Sequence, residues 1–290
     1  MSDAIQTHPR FAISAATTYH SSFEEDVVNY ARAGIAGIGL WEYKLGDGSD
    51  AERSARLRDV GLAVTYCWPL TPGIFPGNGL FSEPKDPARR LDMLCHSIRR
   101  FAVYRPEAVC ILAGAPLAGT ESRSMVVTAF KRASQVAEEV GVELALEVIS
   151  PGPAGSMVAT IRQALEVIGE VGARNIGILL DTWHSADESL QEITDHIDHI
   201  VGIQVCDRAD PSRTRFDRAL PGTGILPLEE IIRAVEAAGY DSWYELEIFS
   251  DDGTFGQVVE NSMWRQPPLE VLNAGRAAFQ AVYARAIAAR

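Results

Sequence analysis

Eight short apolar runs alternate with longer amphipathic stretches along the 290-residue chain, and this alternation constrains the fold more than any other sequence feature. The runs have the length of buried parallel strands and lie at 11–15, 35–40, 62–67, 108–112, 142–149, 176–180, 200–205 and 243–249. Helical spacing is clearest at 125–140, 157–171, 228–238 and 269–289. Eight repeats of strand and helix favour a single-domain α/β chain folded as a closed (β/α)8 TIM barrel.

Glycines mark the ends of several segments and agree with this division. Gly34, Gly61, Gly141 and Gly239 each stand just before an apolar run, where a glycine can end a helix in the left-handed conformation. A doubly wound open sheet stays possible at this point. It is less favoured because no GxGxxG pattern follows the first strand.

The composition excludes several other classes of protein. Lys and Arg number 26 against 39 Asp and Glu, so the net charge is −13, which argues against nucleic-acid binding. No run approaches 18 apolar residues, so no membrane span is expected. Four scattered cysteines without a CxxC pair, and an N-terminus without a secretory pattern, predict a cytoplasmic protein.

Two segments interrupt the regular alternation. Residues 68–87 follow the third strand and contain five prolines, and residues 250–268 follow the eighth strand. Loops that follow the strands of a barrel lie at its catalytic face. Both segments are therefore candidate lids on one domain that spans residues 1–290.

Polar side chains stand near the ends of four successive strands. Because strand residues alternate between two faces, the apolar neighbours of Glu147, Gln204 and Glu247 place these three side chains inside the barrel. Asp181 ends the intervening strand. Three carboxylates in a small apolar space repel one another unless a cation is present. We therefore expect Glu147, Asp181, Gln204 and Glu247 to bind one divalent ion, with Mg²⁺, Mn²⁺ or Co²⁺ favoured over Zn²⁺ because every ligand is an oxygen atom.

These residues resemble the xylose isomerase-like TIM-barrel enzymes, the sugar isomerase and epimerase superfamily. The family typically binds a metal through Glu, Asp, His and Glu, and this chain has Gln204 where the family usually has His. In that respect the chain is similar to bacterial dehydroshikimate dehydratases. It also shares with them the Arg218 to Gly224 pattern, an arginine followed by Pro-Gly-x-Gly.

Other residues are candidates for substrate contact. The resemblance implies that His184, in the D-x-x-H pattern that begins at Asp181, acts on the substrate. Arg218 follows the seventh strand and offers a planar donor to an anionic or polyhydroxylated substrate. Lys44, Trp41 and Trp68 are further substrate-binding candidates, because they stand near the ends of the second and third strands.

This set of residues suits proton abstraction next to a carbonyl. We expect a metal-dependent isomerase or epimerase of a sugar or keto-polyol, in which Glu147 and Glu247 move the proton through an enediolate. The alternative is a lyase that dehydrates a keto-cyclitol or a dehydroshikimate-like compound, with His184 protonating the leaving group. A DNA-repair nuclease and a catalytically silent binding barrel are more remote. The expected partner is a small sugar-like molecule, and a homo-oligomer stays possible.

Overall fold

The chain forms a closed barrel of parallel strands surrounded by helices. The computed structural model describes residues 9–76, 81–115, 121–150, 156–211 and 214–288. The strands of the barrel are β1 (Phe11–Ser14), β2 (Gly37–Gly39), β3 (Ala63–Val64), β4 (Tyr66–Cys67), β5 (Ala108–Ile111), β6 (Leu144–Glu147), β7 (Ile176–Asp181), β8 (Ile200–Val205) and β11 (Tyr244–Leu246). A separate hairpin contains β9 (Asp207–Arg208) and β10 (Arg218–Ala219).

The barrel closes at Thr65. The sheet order is β3-β2-β1-β11-β8-β7-β6-β5-β4, so β3 and β4 are its two ends. Only Thr65 separates these segments, and its N–H donates to the carbonyl of Ile38 while its carbonyl accepts from Ala108. Segments β3 and β4 therefore act as the third of eight barrel strands. The predicted barrel is confirmed, and the doubly wound alternative is wrong because the sheet has no open edge there.

The helices pack around this sheet. They are α1 (Phe23–Ala33), α2 (Asp50–Asp59), α3 (Pro87–Phe101), α4 (Ser122–Val140), α5 (Ile161–Val171), α6 (Leu190–Asp195), α7 (Leu228–Ala237) and α8 (Pro268–Ala288). Ser22 and Glu25 form a capping box at the start of α1. The four glycines expected at segment ends all have positive φ, between 64° and 93°. Helix α5 begins at Ile161 rather than 157, because Thr160 caps its N-terminus.

The hairpin β9–β10 holds the loop after β8 in place through one buried carboxylate. Asp207 accepts backbone N–H groups from Gly222, Gly224 and Leu226, each over 2.9 Å. A Cβ atom at Gly224 would overlap the carbonyl of Arg208. The Pro-Gly-x-Gly pattern therefore has a structural basis: it lets the backbone close around Asp207, and it fixes the strand that carries Arg218.

The segment after β11 is also anchored. Asp251 accepts N–H groups from Gly253, Phe255 and Gln257. Trp264 stacks on Tyr19 with ring centroids 4.5 Å apart. These contacts tie residues 250–268 to the barrel, and the role of a lid stays a prediction. For the segment 68–87 it also stays a prediction, and residues 77–80 lie outside the described part of the chain.

In the described parts of the chain, none of the helices has both the length and the apolar character that a membrane crossing requires.

Close packing inside the barrel gives a test of this architecture. Gly202 on β8 faces the fully buried Tyr66, and a Cβ atom there would overlap the phenol ring. We expect Gly202→Ala to destabilise the protein by about 1–3 kcal/mol, because the backbone or the ring must shift. At Gly169, on the exposed side of α5, such a Cβ would meet no atom within 4 Å apart from the neighbouring backbone of its own helix. Gly169→Ala should therefore stabilise the protein by about 0.5–1 kcal/mol.

Chemical denaturation of the two variants and the wild type measures both effects. Equal stability of the two variants would contradict the packing described for the barrel interior.

Candidate metal centre and substrate pocket

The four residues expected to bind a metal lie together at the carboxyl ends of their strands. Glu147 ends β6, Asp181 ends β7, Gln204 lies near the end of β8, and Glu247 directly follows β11. Asp181 is paired with Gln204 in the register of β7 and β8. Each of the four side chains is buried, with at most 4% of its surface exposed. The strand order thus brings one polar side chain from each of four adjacent strands to one end of the barrel.

Glu247 is held on both of its oxygen atoms. Its Oε1 accepts from Ser14 Oγ over 3.1 Å and from Gln204 Nε2 over 3.0 Å. Its Oε2 accepts from Arg218 Nη1 over 3.2 Å. These hydrogen bonds therefore fix the Glu247 side chain at the carboxyl-terminal end of the barrel strands.

Gln204 has one orphaned atom. Its Nε2 donates to Glu245 Oε1 and to Glu247 Oε1, both over 3.0 Å. Its Oε1 is buried and has no hydrogen-bond partner. An amide oxygen in this state is an available ligand for a hard cation.

Glu245 is a residue that our sequence analysis missed. It is fully buried inside the barrel, two residues before Glu247 on the same face of the chain. The alternation that places Glu247 inside the barrel places Glu245 there too. This period-two alternation is the sequence signal that identifies Glu245.

Arg218 brings a buried positive charge to the cluster. Its Nη1 lies 2.8 Å from Asp181 Oδ2 and 3.2 Å from Glu247 Oε2. Its guanidinium also lies over the ring of Phe249, with Cζ 5.0 Å from the centroid. Burial lowers the pKa of Arg218, but the carboxylate charges outweigh burial and the net pKa is raised. Arg218 therefore stays charged and offsets part of the acidic cluster.

The pKa values of Glu147 and Glu247 are nevertheless raised above the ordinary value of a glutamate. Burial raises the pKa of Glu147 strongly, and the charges of Asp181 and Glu247 raise it further. Burial raises the pKa of Glu247 to about 7, although Arg218 opposes this shift. Such shifts are typical of functional sites, where a carboxylate exchanges protons near neutral pH.

His184 also lies in this cluster. Its ring, Glu147 and Asp181 each offer a ligand atom, and these atoms lie within 4.8 Å of one another. Its Nδ1 lies 3.1 Å from Ser150 Oγ. Burial lowers the pKa of His184 to about 3, so the ring is neutral at neutral pH. A neutral imidazole can bind a metal or accept a hydrogen bond from substrate.

The residues present fit a divalent cation. Three buried side chains offer ligand atoms close together, and the orphaned Gln204 Oε1 adds an amide oxygen near the same strand ends. His184 was not among the predicted ligands and is a further candidate, and an imidazole ligand widens the range of ions toward Zn²⁺.

A pocket opens directly over this cluster. The empty space there is about 720 Å³ when the open solvent at the entrance is included, and the polar lining includes Glu147, His184, Arg215, Arg218 and Glu247. Aromatic rings form one wall. Trp41, Trp68 and Phe81 are mutually stacked, with centroids 5.3–6.2 Å apart. Trp41 and Trp68 thus lie where substrate contact was predicted.

Lys44 lies elsewhere. Its Nζ contacts Asp26 Oδ2 and the carbonyl of Thr18, each over 2.7 Å, and its side chain is 4% exposed. It is not among the described residues that line the pocket. The chain turns after β2 so that Lys44 points toward α1, and substrate binding by Lys44 stays a prediction without a supporting contact.

The chain belongs to the xylose isomerase-like TIM-barrel family, whose model matches residues 27–277. A D-psicose 3-epimerase from Enterocloster bolteae is 27% identical over 151 residues, which cover 49% of this chain and 45% of that enzyme. An inosose dehydratase from Geobacillus thermodenitrificans is 22% identical over 153 residues, covering 47% and 50%. The chain thus matches about half the length of these curated relatives.

The fold also matches a solved structure of the IolI protein with a bound zinc atom. The TM-score is 0.77 at 18% identity, and the match covers 95% of this chain and 98% of that one. This likeness shows a shared fold.

The buried Lys44–Asp26 pair generates a prediction that separates structure from substrate binding. Lys44→Met leaves the Asp26 carboxylate buried without its cation, so we expect a loss of about 3–5 kcal/mol in the free energy of unfolding. The double variant Lys44→Met/Asp26→Leu should recover most of that loss. Denaturant melts test this prediction. A variant of unchanged stability but raised KM would instead support a role in substrate binding.

Metal addition gives a second prediction. A cation that binds only the folded state stabilises it, by about 2.7 kcal/mol at a concentration of 100 Kd. We expect Mn²⁺ to raise the Tm of the wild type, and to raise that of Asp181→Asn much less. Thermal melts with and without Mn²⁺ measure the difference. An equal rise in both proteins would place the ion elsewhere.

Proposed function

We propose that this protein is a divalent-metal-dependent isomerase or epimerase that acts on a sugar or keto-polyol. The main support is the position of two buried carboxylates, Glu147 and Glu247. Both line one pocket, and side chains that could bind a metal ion lie at the same place. The similarity to an epimerase supports the same class.

A divalent ion held by Glu147, Asp181, Gln204 and Glu247 would polarise the carbonyl and neighbouring hydroxyl of a substrate. The remaining chemistry belongs to the side chains. One carboxylate removes the proton next to the carbonyl, and the other returns a proton from its own side of the pocket. Return to the same carbon gives epimerisation, and return to the neighbouring carbon gives isomerisation.

The walls of the pocket suit such a substrate. The stacked faces of Trp41, Trp68 and Phe81 offer an apolar surface to the C–H face of a sugar-like ring. Arg215 and Arg218 line the same pocket and provide planar donors for hydroxyl or carboxylate oxygens. His184, which is neutral, can share a hydrogen bond with a substrate hydroxyl.

Dehydration is the second candidate. The presence of Gln204 at the third ligand position favours it, since bacterial dehydroshikimate dehydratases are similar in that respect. It requires a proton for the departing hydroxyl, which a charged His184 would supply. Because the pKa of His184 is low, few molecules carry a protonated His184 at neutral pH. We therefore favour isomerisation or epimerisation over dehydration.

Substitution of the two carboxylates tests the roles assigned to them. We expect Glu147→Gln and Glu247→Gln each to lower turnover by about 10²- to 10⁴-fold, because each removes a proton-transfer group. Glu143→Gln, at an exposed residue that directly precedes β6, is the control and should keep full activity. Circular dichroism checks that each variant is folded. Full activity in either of the first two variants would contradict the paired roles.

The substrate class is tested by exchange in D₂O. Metal-loaded protein is incubated with a panel of ketoses, keto-inositols and dehydroshikimate, and deuterium uptake at carbon is followed by NMR. We expect uptake with one ketose or keto-polyol and formation of its isomer or epimer. A dehydrated product would establish the lyase instead, and no exchange with any member would count against both enzymes.

A further inference from the structure

Glu245 is a buried carboxylate that the proposed chemistry does not use. It is fully buried, yet it is absent from the described lining of the pocket. An ionisable side chain inside a barrel is costly unless its oxygens are hydrogen-bonded. Its contacts therefore indicate what it does.

The carboxylate of Glu245 sits in a space shaped to receive it. Thr65 Oγ1 donates to its Oε2, and the N–H of Tyr66 lies 3.5 Å from the same atom. A Cβ atom at Gly39 would overlap this carboxylate, so a larger residue at position 39 would require the Glu245 side chain to move. These neighbours hold the oxygens of Glu245 at fixed positions, inside the barrel and next to the residues that we propose to bind the metal.

The remaining contact of Glu245 is with Gln204. Both Nε2 hydrogens of Gln204 are used, one by Glu245 Oε1 and one by Glu247 Oε1. A glutamine amide can turn by 180°, which exchanges its donor and acceptor ends. Two carboxylate acceptors on one side favour the orientation with the nitrogen there. The Oε1 atom then lies on the other side of the amide, buried and without a partner.

We propose that Glu245 is a positioning residue that fixes the orientation of the Gln204 amide, so that its Oε1 rather than its NH₂ group is presented as a metal ligand. This inference rests on the proposed metal-dependent function. Only the oxygen of an amide binds a hard cation, so the orientation decides whether Gln204 is a ligand. Groups that orient metal ligands commonly affect metal affinity by 10- to 100-fold.

A double-mutant cycle separates positioning from simple charge attraction. Glu245→Gln offers Gln204 both a donor and an acceptor, so Glu247 alone of the two carboxylates still favours this amide orientation, and the orientation is less strongly fixed. Calorimetric titration with Mn²⁺ should show an affinity about tenfold weaker than in the wild type. In a Gln204→Leu background the same substitution should change the affinity by less than about twofold, since the ligand that it orients is gone. The exposed Glu143→Gln is the matched control and should leave the affinity unchanged.

A spectroscopic measurement is also needed, because it would not change if Glu245 only stabilised the fold. The visible absorption of bound Co²⁺ reports its ligand set, and we expect Glu245→Gln to alter the spectrum while Glu143→Gln does not. If Glu245→Gln does not fold, Thr65→Val takes its place. That variant removes a hydrogen bond to Glu245 and keeps its carboxyl group, and it should also weaken Mn²⁺ binding.

The outcomes are distinct. Equal weakening by Glu245→Gln in both backgrounds would show charge attraction and overturn the positioning role. Unchanged Mn²⁺ affinity in a folded Glu245→Gln protein, or in Thr65→Val where it replaces that variant, would also overturn it while the proposed function stands. A wild-type protein that binds no Mn²⁺ at all would remove both proposals.

Discussion

The interior of one barrel holds four carboxylates close together, and much of the surrounding structure compensates for them. Each of Glu147, Asp181, Glu245 and Glu247 is at most 4% exposed, so water cannot solvate their charges. Hydrogen bonds from Ser14, Thr65 and Gln204, together with the charge of Arg218, supply part of the compensation. The raised pKa values of Glu147, Glu245 and Glu247 show that this compensation is incomplete. A divalent cation would complete it, and that need links the fold to the proposed chemistry.

Gln204, which stands where the family usually has histidine, forms hydrogen bonds that suit the same constraint. An imidazole that binds a metal through one nitrogen keeps a single N–H to donate. The amide of Gln204 keeps its oxygen for a ligand role and still donates two hydrogen bonds, to Glu245 and to Glu247. A glutamine can therefore hold two buried carboxylates where a histidine can hold one. This arrangement gives Glu245, the carboxylate within β11, a role in the proposed site that is not catalytic.

Periodicity predicted the barrel well, because each apolar run had to become a buried strand and the closing contact at Thr65 lies within one of them. It also placed Glu147, Gln204 and Glu247 at one end of the barrel. The partners of these residues could not be predicted, since they depend on how distant segments meet. Lys44 was expected at the pocket and instead pairs with Asp26 on α1. The bond between Arg218 and Asp181 likewise depends on a hairpin whose closure around Asp207 is not evident from local sequence.

Anomalous scattering from a crystal of Mn²⁺-loaded protein would locate the ion without reference to any substrate. We expect one strong peak at the carboxyl ends of the strands, within bonding distance of Glu147, Asp181, Gln204 Oε1 and Glu247. A well-ordered crystal with no peak at this cluster, and with Arg218 still bonded to Asp181 and Glu247 at saturating Mn²⁺, would contradict this expectation.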